Sequence, residues 1–330
     1  MKVGIIGCGA ISQIRHIPEY ANNPNATLVG YYDFVYERAK EMAEKYGGKA
    51  FASLEELLAC DEIEAVSVCT ANSCHAENTV AALRAKKHVL CEKPMATTRE
   101  ECEKMVEEAK KANKKLMIAQ NQVFMQEHVK AKELLSSGEI GDVLTFATCF
   151  GHGGPDNWSI DRGTGNWFFD KKKSAFGTIA DLGIHKTHLM EFLLDSEIAD
   201  VKAMTATLDK KYSDGTPVDV EDNAICLYRM KNGVIGTMTA SWTYYGGYDD
   251  NTTVIYGTRG IMKILDGAHG VSIYKKDSEP VHYDFEKQTN SGVIDAFVEC
   301  VENGVEPKVS GESVLSSMNV IFSAIEDAKK

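Results

Sequence analysis

Short apolar runs separated by amphipathic stretches make up the first 121 residues. Val3–Ile6, Leu28–Tyr32, Ala65–Cys69, His88–Cys91 and Leu116–Ala119 are rich in Val, Ile and Leu, which predicts buried strands. The stretches between them carry helix start signals. Ser53-x-x-Glu56 and Thr98-x-x-Glu101 have the capping-box spacing, in which side chains satisfy otherwise unpaired N–H groups. This alternation predicts right-handed crossovers and a parallel sheet with helices on both faces. One helix is weak: Pro18 lies inside Ser12–Asn22 and should kink or break it, because proline lacks the N–H.

Beyond residue 122 the pattern changes. A helix over about Glu127–Ser136 stops at Gly138, and longer strands follow with few helices between them. Val143–Phe150, Val201–Leu208, Asn223–Met230, Val234–Thr243, Thr252–Tyr256 and Gly270–Tyr274 are the candidates. Asn232-Gly233 is a two-residue hairpin signal, so the strands it joins should be antiparallel. In Gly236–Thr243 the residues Thr237, Thr239, Ser241 and Thr243 alternate with Met238, Ala240 and Trp242. That alternation predicts one face buried under helices and one open, hydroxyl-rich face, either a subunit interface or a solvated surface. The expected architecture is therefore α/β. A parallel-sheet domain over residues 1–121 precedes an α+β domain over 122–330 with a large, mostly antiparallel, open-faced sheet.

Composition narrows the partners. The net charge of −12 disfavours nucleic acid and anionic membrane surfaces, both polyanions. No run approaches the roughly 18 apolar residues that span a bilayer, and Val3–Ile6 is too short for a signal-peptide core. The nine cysteines are scattered without a C-x-x-C pair, as expected of buried thiols in a reducing cytoplasm. Cys8 and Cys91 are read as space-fillers beside the loop described next.

Gly7-Cys-Gly9-Ala10-Ile11-Ser12 directly follows the first strand and opens a helix. The first glycine permits a tight turn, and the second lets the backbone approach a pyrophosphate at the helix N-terminus. Asp33 lies about 20 residues on, at the end of the second strand, where it can accept hydrogen bonds from ribose hydroxyls and repel a 2′-phosphate. The expected cofactor is thus NAD rather than NADP. The competing role for Asp33 is a cap on the helix Phe34–Tyr46.

Two further motifs carry candidate chemistry. Glu92-Lys93-Pro94 ends the strand His88–Cys91 at the carboxyl edge of the sheet, where ligands bind in such folds. In Asp181-Leu-Gly-Ile-His185-Lys-Thr-His188, steps of four and three place Asp181, His185 and His188 on one helix face. Removing hydride from an alcohol carbon requires a base for the hydroxyl proton. A histidine is poised for that near neutral pH, and a carboxylate can orient it. The same three side chains could instead form a two-histidine, one-carboxylate metal site. Trp158 and Trp167, in the Gly- and Asp-rich stretch 151–170, either offer aromatic faces to a substrate or anchor the loop over the core.

With these motifs the chain resembles the Gfo/Idh/MocA oxidoreductases, which include inositol dehydrogenases and glucose–fructose oxidoreductase. The resemblance spans nearly the whole chain and rests on Gly7-Cys-Gly9, His88-Val-Leu-Cys-Glu92-Lys93-Pro94 and Asp181-Leu-Gly183-Ile-His185. It implies a Rossmann domain followed by a sheet domain that pairs into dimers or tetramers. It implies catalytic roles for Lys93, Asp181 and His185, with Lys93 touching both substrate and nicotinamide and Asp181 orienting or contacting sugar hydroxyls. Thr70, Asn72, His75, Glu92, Lys93 and Gln120 would border the cofactor, and His188 stands where the family commonly has a substrate-facing aspartate. The implied reaction moves hydride between NAD and a secondary alcohol or ketone of a sugar, sugar derivative or inositol. A redox-neutral glycosidase using transient oxidation, and a non-catalytic NAD sensor, are the alternatives.

Overall fold

The computed structural model describes residues 1–267 and 269–330. The first sheet contains β1 (Lys2–Ile6), β2 (Thr27–Tyr32), β3 (Lys49–Ala50), β4 (Ala65–Val68), β5 (His88–Cys91) and β6 (Leu116–Ile118). All are parallel, in the order β3-β2-β1-β4-β5-β6. The order reverses between β1 and β4, and that reversal opens a crevice outside the carboxyl ends of the strands. Gly7 follows β1, Thr70 follows β4 and Lys93 follows β5, so all three motifs converge on this crevice. The two-residue edge strand β3 has no hydrophobic pattern of its own, so the sequence does not predict it.

The local signals act as their chemistry requires. Thr98 and Glu101 form a complete capping box at helix Arg99–Ala112. At helix Leu54–Leu58, Ser53 accepts from the Glu56 N–H, while the Glu56 carboxylate accepts from Ala52 N–H. The break expected at Pro18 takes the form of a change in winding. Ser12–His16 is a π-turn that runs directly into the α-helix Ile17–Asn22, and Pro18, which has no N–H to give to the preceding turn, stands where the winding changes.

The second sheet contains β7 (Val143–Gly151), β8 (Ile198–Ala206), β9 (Asn223–Met230), β10 (Ile235–Ser241), β11 (Thr253–Gly257), β12 (Ile261–Asp266), β13 (His269–Tyr274) and β14 (Val281–Tyr283). Its order is β14-β13-β12-β11-β7-β10-β9-β8, and only the β7–β10 pair is parallel. Strands β12 and β14 are additions to the set expected from the sequence. The β9–β10 hairpin turns at Asn232-Gly233, where Gly233 has φ +89°, a conformation that suits glycine. Met238, Ala240 and Trp242 are buried and Thr237 is exposed, as the alternation requires, but Ser241 is buried too and reaches Thr243. The open face is more apolar than expected, since Met204, Ile225, Leu227, Ile235 and Tyr256 are exposed.

Helix Ile184–Leu194 lies on the covered face. Gly183 faces the Met238 side chain there, the end of which a Cβ would push aside. Helix Val293–Glu302 returns to the first sheet, where Val293, Ile294, Phe297 and Val298 join Val3, Ile5, Tyr31 and Met117 in one core. The domain division expected from the sequence puts this helix in the second domain, yet its apolar face completes the first. Among the described residues no helix is long and apolar enough to cross a membrane.

Candidate active site

The crevice continues between the two sheets as one cleft. One end is lined by Gly9, Ala10, Ile11, Ile14 and Arg38, and the other by Lys93, Asp181 and His185. The glycines have the conformations their roles require. Gly7 has φ +92°, and a Cβ there would stand 2.6 Å from Cys69 O, so β1 and β4 close against each other only with glycine. A Cβ on Gly9 would meet nothing within 4 Å, which leaves the space above it open for a ligand. Asp33 Oδ2 accepts from Cys8 N–H at 2.7 Å and Oδ1 from Val35 N–H at 2.8 Å. The carboxylate therefore fixes the glycine loop and caps the following turn, and its remaining lone pairs stay available to hydroxyls. These features fit the adenosine and pyrophosphate of NAD.

The other sequence-selected positions divide. Thr70 and Asn72 line the cleft, and Asn72 Nδ2 donates to Ser174 O at 2.9 Å, tying the two halves together. His75 borders the cleft with its ring between two carbonyls, Pro94 O 2.8 Å from Nδ1 and Thr70 O 3.1 Å from Nε2; burial keeps the ring neutral, so its single N–H donates to one of them and ties it into the loop. Glu92 is buried against His16 Nε2 at 2.9 Å, and the ring's Nδ1 meets Ser67 Oγ at 3.2 Å. Burial alone would raise the Glu92 carboxyl, but the His16 hydrogen bond and nearby cations hold it at about 2. Gln120 lies behind the wall, buried, with neither amide atom partnered among the described residues.

Three side chains from distant parts of the chain meet at the other end. Lys93 Nζ donates to Asp181 Oδ1 at 2.6 Å and to Asp181 O at 2.9 Å. The second carboxylate oxygen accepts from Trp242 Nε1 at 3.0 Å. Asp181 thus orients Lys93 and makes no hydrogen bond to His185, unlike the carboxylate–histidine pairing expected from the sequence. His185 lies on the same wall beside Phe150, their ring centroids 5.8 Å apart, with its Nδ1 buried and unpartnered among the described residues. Burial, then the charge of Lys93, pushes its pKa well below the usual histidine range. His185 is therefore the free base at neutral pH. The acid limb of kcat/KM for alcohol oxidation should lie below the ordinary histidine pKa, leaving the rate flat from about pH 6.5 to 8.5. A pH–rate profile with a midpoint at or above 6.5 would contradict this.

His188 is a correction. It turns away from the cleft toward helix Gly311–Asp327, where Nδ1 faces Ser317 Oγ at 3.4 Å, and burial lowers its pKa to about 4. Asp181 belongs to the π-turn Ile179–Gly183, whose wider winding separates it from the regular helix phase on which the three-residue face was drawn. The substrate role given to His188 and the Asp181–His185–His188 metal trio both lack this geometry. Among the described residues no group of three His, Cys, Asp or Glu is arranged to hold a metal ion.

Trp158 and Trp167 both line the cleft, and Phe168 lies between them, stacked on Trp167 at 3.8 Å and edge-on to Trp158 at 5.1 Å. Sequence reasoning missed several neighbours. His152 follows β7 and lines the cleft. Its Nδ1 accepts from Gly154 N–H at 2.9 Å, which leaves Nε2 as the donor in the neutral ring. Gln122 and Asn251 face each other at 2.9 Å on the opposite wall. Arg38 pairs with Asp161 across the cleft mouth at 2.9 Å. A histidine at a strand's end was a legible signal; the Gln122–Asn251 pairing was not.

Lys186, next to His185, is fully buried and donates to Asn251 O at 2.8 Å. Burial lowers its pKa from 10.5 to about 7. Between those values the unfolded chain binds the proton that the folded chain has released, so this group makes stability rise with pH. Wild type should gain about 2 kcal/mol over Lys186→Met between pH 7 and 9. Urea denaturation of both proteins across that range checks it, and a pH-independent difference would contradict it.

Residues 1–120 match the model of the oxidoreductase family with an NAD-binding Rossmann fold, and residues 128–263 match the GFO/IDH/MocA C-terminal domain. The chain belongs to the Gfo/Idh/MocA oxidoreductase family. Myo-inositol 2-dehydrogenase of Thermotoga maritima is 29% identical over 94% of this chain and 91% of the relative. Glucose-6-phosphate 3-dehydrogenase of Bacillus subtilis is 32% identical over 73% of this chain and 67% of the relative. Among solved structures, aldose-aldose oxidoreductase from Caulobacter crescentus superposes with a TM-score of 0.86 at 25% identity, covering 100% of this chain and 97% of that one. As a Gfo/Idh/MocA protein, the chain is an NAD-dependent oxidoreductase, and its first sheet is the dinucleotide-binding one.

Proposed function

We propose that this protein oxidises a secondary alcohol of a sugar, sugar derivative or inositol, or reduces the corresponding ketone. The observation that carries the reading is the Lys93–Asp181 pair beside the neutral, buried His185 at the nicotinamide end of the cleft. Bound NAD supplies the two-electron acceptor. Lys93, held by both the carboxylate and the carbonyl of Asp181, presents a fixed positive charge to the oxygen that gains negative character as its proton leaves. His185 accepts that proton. Trp158 and Trp167 offer faces for the apolar C–H edges of a sugar ring, while His152, Gln122 and Asn251 offer donors and acceptors for hydroxyls.

The relatives are named as dehydrogenases of inositol and sugar phosphates, which supports this substrate class over the glycosidase and sensor alternatives. The apolar open face of the second sheet supports a homodimer or homotetramer joined there. The free thiols fit a reducing cytoplasm. The test is NADH formation at 340 nm with a panel of inositols, aldoses and anhydrosugars, repeated with NADP and with chelator. A chelator-insensitive rate with one polyol supports the reading. NAD binding without any turnover rejects it in favour of the alternatives.

A further inference from the structure

The side chain of Asp181 depends on a turn that the chain around it does not cap. The π-turn Ile179–Gly183 begins at Thr178, whose hydroxyl makes no cap and is buried without a partner among the described residues. The three N–H groups that lead into it, those of Gly177, Thr178 and Ile179, are all satisfied by one residue from elsewhere. Gly177 N–H donates to Glu221 Oε1 at 2.9 Å, Thr178 N–H to Glu221 O at 3.0 Å and Ile179 N–H to Glu221 Oε1 at 3.3 Å. The contact admits no side chain at residue 177, since a Cβ there would stand 1.9 Å from Glu221 O. The next residue fixes the other partner of Asp181. The Asp222 carbonyl accepts from Trp242 N–H at 2.8 Å, and its carboxylate accepts backbone N–H groups of Leu208, Asp209 and Lys210, each at 2.8 Å. Trp242 in turn donates its indole N–H to Asp181.

We propose that Glu221 is a positioning residue for the reaction, capping the π-turn in trans so that Asp181 meets Lys93 on one oxygen and Trp242 on the other. The proposal rests on the catalytic reading of Lys93 and Asp181 and extends it to a residue outside the cleft. The Glu221 side chain supplies acceptor oxygens for donors that a lone helix end leaves open; burial raises its pKa to about 7, while the backbone N–H groups it accepts from favour the charged form. Without it, the turn can rewind toward regular α geometry, shifting the phase of Asp181 and releasing Lys93 from its fixed direction. A displacement of this kind near 1 Å is enough to lower a rate by about 10²-fold.

Two variants and two readouts test it. Glu221→Gln keeps an oxygen that can accept from Gly177 and Ile179, whereas Glu221→Ala keeps none. The first readout is the NMR signal of the Trp242 indole N–H, assigned by its loss in Trp242→Phe and shifted downfield by the bond to Asp181. Glu221→Ala should move this signal toward the position of a free indole, while Glu221→Gln retains it. The second readout is turnover: kcat should fall by about 10- to 100-fold in Glu221→Ala and recover to within about threefold in Glu221→Gln, with the NADH Kd unchanged in both. A merely structural glutamate would lower thermal stability while leaving the indole signal and kcat per folded molecule as in wild type. An unmoved signal in Glu221→Ala, or a lost signal in Glu221→Gln, overturns the proposal. If Glu221→Ala does not fold, Glu221→Met, which keeps the side-chain length without an oxygen acceptor, takes its place with the same expected loss of the signal. A wild type that turns over no polyol rejects the functional reading, while the indole signal still tests whether Glu221 positions Asp181.

Discussion

Replacing Lys93 by Met, or His185 by Asn, is expected to lower kcat by about 10²–10⁴-fold while leaving a folded protein that still binds NADH. The two losses have different causes. Lys93 Nζ is fixed by two oxygens of Asp181, so its charge is directed into the cleft before substrate arrives. Methionine keeps the apolar stem and removes only that charge, which also leaves the Asp181 carboxylate with Trp242 as its remaining partner. His185 is neutral because burial and Lys93 disfavour its charged form. Asparagine can hydrogen-bond there but cannot take a proton at neutral pH. Steady-state kinetics with the active polyol, together with NADH fluorescence titration, separates chemistry from cofactor binding. Turnover within a few-fold of wild type in both variants would remove these residues from the mechanism.

Replacing Asp33 by Ala should lower the ratio of kcat/KM with NAD to that with NADP by about 10²-fold, since a hydrogen bond to a charged group contributes roughly 1.5–3 kcal/mol. Two effects combine. NAD loses an acceptor for its ribose hydroxyls, and NADP loses the repulsion between carboxylate and 2′-phosphate. Arg38 lines the same end of the cleft and supplies a cation that the phosphate can use once Asp33 is gone. Because Asp33 also holds Cys8 N–H and Val35 N–H, part of the loss with NAD comes from a looser glycine loop. Asp33→Asn separates the contributions, since the amide oxygen can still accept from one of those groups. An unchanged cofactor ratio in Asp33→Ala would show that the ribose end is recognised elsewhere.

The two halves of the site differ in how far they could be read in advance. The cofactor half is local: a buried strand, a glycine loop and an acid at the next strand's end lie within 33 residues. Their spacing encodes geometry because a parallel βαβ unit admits little else. The substrate half is assembled from the ends of β5 and β7, the π-turn, the loop after β10 and the segment 152–168. His188 shows the difference most clearly. The sequence grouped it with Asp181 and His185 on one helix face, but the π-turn takes Asp181 out of that phase, and the packing of helix Gly311–Asp327 against this helix gives His188 Ser317 as its partner.

Hydrophobic patterning by itself determined the parallel sheet, the crossovers, the β9–β10 hairpin and the glycine loop, because each depends on periodicity or on the conformational freedom of one residue type. The motif residues Lys93, Asp181 and His185 were legible for the same reason, as unusual groups at the edges of buried elements. Only the tertiary structure decided which partner each one has. Asp181 bonds to Lys93 and Trp242 instead of His185, Glu221 caps a turn 42 residues away, and helix Val293–Glu302 covers the first sheet rather than the second. Those choices follow from packing. A buried polar group takes whichever partner the folded backbone brings within about 3 Å, and that neighbour carries no sequence spacing.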